Sequence, residues 1–349
     1  MSHFTVLVIT NESPTDDVLS KVLMPFHEYE CTGVELYLQD VDVTDEVIKY
    51  FGEPQKVVIL ADGAVRSRWD EGFYTKKPTE KFGNKQFELP AGAREEEMDA
   101  VTARSHGVGH PDLATAANEY YGSAFERDGR WYHRTNPNKK WDWYSRGGRW
   151  RGKMKVKPGV TEFFTGQPGV FDNEPLREDG VDSCQVKDLD LAGMRAETAA
   201  KADEYYGKMH AVIAGRTWET WAEVLKRYER QHERDPGLFK DKGEAIEAAR
   251  NAYHGQGAVK DVQADRSLRS FDGPDDCRCD RDTYLQRARD GAFATFAVLK
   301  DGNWYENGKM GWWGIITDEQ DTDVWHAEFA KLVSNLPPET WLTVVDCHI

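Results

Sequence analysis

Two apolar, β-branched runs bracket this chain, and they constrain its fold more than anything between them. Phe4 to Thr10 reads FTVLVIT, and Trp341 to Ile349 reads WLTVVDCHI. Runs of this length and composition, bounded by turn signals, predict buried strands. Ser13-Pro14-Thr15-Asp16-Asp17 follows the first run and carries a capping residue, an early proline and first-turn acids, the signature of a helix start. Before the last run, Ala294 to Lys300 (ATFAVLK) and Trp312 to Ile316 (WWGII) read as strands. Asp321 to Leu336 reads as an amphipathic helix with Val324, Trp325, Phe329, Leu332 and Val333 on its apolar side.

Strand, helix, strand, strand, helix, strand is the β-α-β-β-α-β order of ferredoxin-like folds. The expected class is therefore α+β, an antiparallel ferredoxin-like core split by a large α+β insertion. The first and last strands should then share a sheet. The expected domains are 1–28 plus 291–349 for the core, 29–175 for a β-rich insertion, and 176–290 for a helical block. Within the insertion, KVVIL, Asp62-Gly63 and AVRSRW spell a β-hairpin. The charged segment from Lys76 to Asp99 reads as an exposed loop, and Pro111-Asp112-Leu113 opens a helix.

The least ordinary stretch lies at Lys139 to Gly152, KKWDWYSRGGRWRG. Trp141, Trp143, Tyr144 and Trp150 alternate with Arg146 and Arg149 around Gly147 and Gly148. The reading is a tight hairpin turned by the glycine pair. Aromatic faces stack on planar ligands, and guanidinium forks bind phosphate or carboxylate. These eight residues are the candidate ligand site for a nucleotide-like or other anionic small molecule. Cross-strand packing of the same rings is the structural alternative.

Charge narrows the partners. Lys+Arg 45 against Asp+Glu 61 gives a net −16, a poor balance for general nucleic-acid binding. The same acidity suits small ligands or basic protein surfaces. The N-terminus lacks a basic region followed by a long apolar run, so no signal peptide is expected. No apolar segment approaches the roughly 20 residues of a membrane span. Five scattered cysteines suggest a reducing cytoplasm rather than a disulfide framework. Cys277 and Cys279 lack the second pair of a structural zinc site, and the glycines around His106 and His110 argue against a helical metal site. His27, Glu28, Glu30 and Cys31 fit no zinc spacing. No metal and no cofactor are expected, and oligomeric state stays open.

The opening SHFTVLVI, MPFHEYECTG followed by QDVDVT, the central NPNKKWDWYSRGGRW, MGWW and the closing LTVVDCHI resemble a group of hypothetical proteins from bacteriophages and bacteria. The resemblance spans the chain. It implies a phage accessory protein, working in the host cytoplasm on host machinery such as defence systems.

Asp346 and His348 are weak catalytic candidates. Alternate strand residues share a face, so these two face together and Cys347 faces away. They could act as acid/base groups, or join His27 or His3 around a metal. The chain has no Walker loop, dinucleotide glycine fingerprint, G-x-S-x-G or HExxH. That tips the reading toward a binding protein. Two alternatives remain: an inhibitor that covers a host factor with its acidic surface, and a hydrolase acting on nucleotides or phosphodiesters.

Overall fold

The computed structural model describes residues 2–28, 35–74, 79–81, 84–86, 89–169, 179–268, 273–311 and 314–349. Glu30, Cys31, Trp312 and Trp313 lie outside these residues, as does part of the segment read as a loop from Lys76. The chain is mixed α+β and forms two compact units. One takes both chain ends, up to Met24 and from Trp143 onward; the other is Pro25–Asp142. This division differs from the expected one: residues 176–290 and the sheet belong to one unit. One boundary falls between Asp142 and Trp143, inside the aromatic stretch. No helix among the described residues is long and apolar enough to cross a membrane.

The unit holding the chain ends is built on a seven-stranded sheet. Its spatial order is Gln167–Pro168, Trp143–Gly148, Trp341–His348, His3–Thr10, Ala297–Lys300 and Asn303–Glu306, with Ser183–Gln185 also paired to the final strand. The first and last strands do share this sheet. They pair antiparallel along their whole length, from His3 opposite His348 to Thr10 opposite Trp341. The expected antiparallel ferredoxin-like core is corrected by one pairing. The first strand runs parallel to Ala297–Lys300, with Val6 opposite Ala297. A long crossover separates these two strands in sequence, which is what parallel pairing requires.

The strand beside Ala297–Lys300 is also not the expected WWGII. It is Asn303–Glu306, turned back by Asp301 and Gly302, both at positive φ, as a two-residue hairpin demands. Ile316–Thr317 pairs instead with Lys309–Met310 in a separate two-stranded sheet.

All eight residues of the final strand are buried, as befits a strand covered on both faces. On one face Leu342 and Val344 join Leu7, Ile9 and Val298 against Trp325, Phe329 and Val333 of the helix Thr322–Ser334. Those three helix residues are spaced by four, so one ridge meets the sheet. Val324, expected on that side, stands 50 % exposed because it precedes the ridge by one residue. The first helix, Asp16–Leu23, is capped by Thr15 and buries Leu19 and Leu23.

The unit Pro25–Asp142 contains the Asp-Gly hairpin, with Gln55–Ile59 paired to Val65–Ser67. Arg94–Met98 completes that sheet. It replaces the expected loop there: its exposed residues Arg94, Glu95, Glu96 and Glu97 carry no apolar alternation that would mark a strand. A second sheet, Gln39–Asp42, Arg130–Thr135 and Phe125–Arg127, packs Trp131 with Val43, Val47 and Ala117. Asp112 caps the helix Leu113–Tyr121.

The glycine pair does not turn a hairpin. Gly147 and Gly148 stay in the strand Trp143–Gly148, which runs antiparallel to the final strand and parallel to Gln167–Pro168. The following strand, Met154–Lys155, pairs elsewhere, with Gly180–Val181. Both glycines have positive φ, +72° and +54°, and each lies against a carboxylate. A Cβ on Gly147 would sit 2.6 Å from Asp182 Oδ2, and one on Gly148 would sit 2.4 Å from the Asp346 Cβ. These glycines make room for buried acids.

Gly148→Ala should therefore cost about 2–5 kcal/mol, combining left-handed strain with overpacking. Gly159 also has positive φ, +85°, but open space around it, so Gly159→Ala should cost only about 1–2 kcal/mol. Urea unfolding of the two variants checks the contrast.

Candidate functional site

The final strand changes character at its end. Leu342 and Val344 belong to the core, but the next two residues on that face are Asp346 and His348. The pairing register sets their neighbours. His348 lies between His3 and Trp143, and Asp346 lies between Thr5 and Ser145. Directly opposed residues share a face, so one corner of the sheet collects His3, Asp346, His348 and Trp143. Cys347 faces the other way, as the alternation requires, and is fully buried.

Asp346 is 1 % exposed. Its Oδ1 lies 2.8 Å from His3 Nδ1, and its Oδ2 accepts the Arg149 backbone N–H at 2.9 Å. A buried carboxylate is tolerable when charge-assisted bonds satisfy both oxygens. The bare Gly148 lets the backbone come this close. An ionised Asp346 accepts the Nδ1 proton of His3, which makes Nε2 the basic nitrogen.

Three rings close around this pair. The His3 and His348 centroids are 5.0 Å apart, edge to face. His3 meets Trp143 edge-on at 5.3 Å, and Trp143 stacks on His348 at 5.3 Å with an interplanar angle of 18°. His348 is buried, whereas Trp143 is 43 % exposed. The corner is thus an exposed indole over two imidazoles, one of them held by a buried acid.

The remaining residues of the aromatic stretch disperse. Tyr144 follows Trp143 and faces the opposite side of the sheet; burial raises its phenol pKa. Arg146 is engaged within the fold: its Nη2 donates to the Pro14 carbonyl at 2.7 Å and to Asp16 Oδ1 at 2.8 Å. Its guanidinium also lies over Phe164 at 4.9 Å. Trp150 packs against the main core. Arg149 keeps an exposed side chain on a backbone anchored to Asp346. Trp141 falls in the other unit, where it is buried and meets the His27 ring edge-on at 4.5 Å. His27 Nε2 pairs with the Asp142 carbonyl at 2.8 Å. These contacts give His27 and Trp141 a packing role.

Among the described residues no group of three His, Cys, Asp or Glu side chains is arranged to hold a metal ion. His110 pairs with Glu119 at 3.2 Å. Cys277 is buried, and that burial pushes its thiol up to about 11. Cys279 donates to the Asp276 carbonyl at 3.4 Å.

Two features had no sequence signal. One is a cleft of about 460 Å³ whose lining includes Asp276, Tyr284, Arg287, Asp321, Asp323 and His326. The other is Asp182, which accepts Gly152 N–H and Gly166 N–H, each at 2.7 Å, and is wholly buried. His3 as the partner of Asp346 did leave a signal: if the terminal strands pair end to end, His3 must fall opposite His348.

No family model, curated protein or solved structure matches this chain.

Burial raises the Asp182 pKa, while the bonds from Gly166 and Gly152 pull it down. A carboxyl whose folded pKa lies above its unfolded value binds protons more tightly when folded. Its contribution to stability is fully present below the unfolded pKa, about 3.9, and declines as pH rises toward the folded value. The stability of the protein minus that of Asp182→Asn should therefore be larger at pH 4 than at pH 7. Paired urea titrations at the two values measure it.

Proposed function

We propose that the protein binds a small, planar, anionic molecule of nucleotide type at the corner formed by His3, Asp346, His348 and Trp143. The observation that carries this reading is the exposed Trp143 ring lying against two imidazoles. A base stacked on an aromatic ring gains roughly 1–3 kcal/mol. The exposed Arg149 adds a cation close by in sequence, and its guanidinium fork suits a phosphate. The net charge of −16 favours a small anion over a nucleic-acid polymer, whose many phosphates it would repel. The resemblance to phage and bacterial hypothetical proteins supports an accessory, counter-defence role, in which such a protein sequesters a host nucleotide signal in the host cytoplasm.

This places the ligand at the end of the final strand rather than on the expected Trp/Arg hairpin. Trp143 belongs to both. Arg146 does not, because its guanidinium is committed to Asp16 and the Pro14 carbonyl.

A calorimetric panel of mono-, di- and cyclic nucleotides tests the proposal. Trp143→Ala should weaken binding about tenfold or more, in line with the loss of one stacked base. Arg146→Ala should lower the melting temperature and leave affinity within about twofold, since its partners are structural. Absence of binding across the panel would overturn this reading and favour contact of the acidic surface with a host protein.

A further inference from the structure

We infer that the site also acts on its ligand, with His3 as general base in the hydrolysis of a phosphate ester or phosphodiester. The inference rests on the nucleotide reading above and goes beyond it. Three observations carry it. His3 Nδ1 is held by a carboxylate that is itself fixed from its other oxygen by the Arg149 N–H. That fixes both the tautomer and the orientation of the ring. His3 Nε2 has no hydrogen-bond partner among the described residues and is not among their sealed, unpartnered polar atoms, so it is open to a ligand. The exposed Trp143 ring lies 5.3 Å from the His3 ring, which sets a stacking platform beside the basic nitrogen.

A carboxylate buttressing one imidazole nitrogen while the other faces a ligand is the arrangement that general-base catalysis uses. A buried Asp346 at the polar end of the final strand also costs desolvation that Leu or Val would avoid. The step balances without a redox partner. Water forms a new bond to phosphorus as Nε2 takes its proton. The phosphorus–oxygen ester bond breaks, and the imidazolium returns a proton to the leaving oxygen. One water is consumed; a diester yields a monoester and an alcohol. His3 is the catalytic residue here and Asp346 a positioning residue.

The test uses the full chain with adenylyl-adenosine and 3′,5′-cyclic AMP, binding measured by calorimetry and products by ion-exchange chromatography. Hydrolysis of at least one probe is expected. His3→Gln removes the imidazole and so cannot carry the proton. It should lower kcat by about 100-fold or more, well beyond any change in Kd. Should His3→Gln fail to fold, His3→Asn, whose amide N–H reaches the Nδ1 position toward Asp346, carries the same expectation for kcat. Asp346→Asn should lower kcat by more than it raises KM, a split that loss of packing alone would not give. Binding with every bound probe recovered intact would overturn the hydrolytic inference and leave the binding reading standing. No binding would overturn both. Wild-type turnover in His3→Gln would remove His3 from the role.

Discussion

The pairing of the first and last strands organises the larger unit. Eight residues of each strand lie in register, from His3 with His348 to Thr10 with Trp341. The final strand is bonded along its other edge as well, to Trp143–Gly148 and Ser183–Gln185. A strand paired on both edges and buried on both faces has its register fixed strongly, since a one-residue slip would turn Asp346 and His348 toward the opposite face. The chemistry of the corner therefore depends on a backbone register set by Leu7, Ile9, Leu342 and Val344 in the core.

Two buried carboxylates tie the neighbouring strand to this frame. Asp346 and Asp182 each lie where a side chain on Gly148 or Gly147 would have been, and each accepts backbone N–H groups from the loops that follow. Buried acids with satisfied oxygens fix backbone positions closely, because losing one bond would leave a charge exposed to a low-dielectric interior. The same device that holds the fold thus aims His3: the carboxylate that anchors Arg149 is the one that holds the imidazole. Structure and candidate function share one side chain.

Much of the frame was legible in the sequence. The terminal strands, the helix start around Ser13 to Asp17, the Asp62-Gly63 hairpin and the apolar side of the helix carrying Trp325, Phe329 and Val333 follow from local pattern, although the cap is Thr15 and the proline therefore precedes the first turn. What was not legible depends on long-range pairing. Nothing local says that His3–Thr10 runs parallel to Ala297–Lys300, or that Asn303–Glu306 is the strand on its other side. Arg94–Met98 hides as a strand because its outward residues are charged. The glycine pair misled in an informative way. Gly-Gly between aromatic and basic residues reads as a turn, yet here the glycines are needed by Asp182 and Asp346, distant in sequence. Composition drew attention to Trp143, while the partners of that ring, His3 and His348, come from the two chain ends.

The most direct measurement is a histidine-selective NMR titration of the labelled protein with adenosine 5′-monophosphate. The chain has ten histidines, and His3→Gln and His348→Gln spectra assign the two at the corner. Saturable shifts of the His3 and His348 resonances, with the other histidines unmoved, are the expected result. Binding that leaves those two unchanged and moves His326 or His27 instead would contradict a ligand site at the end of the final strand.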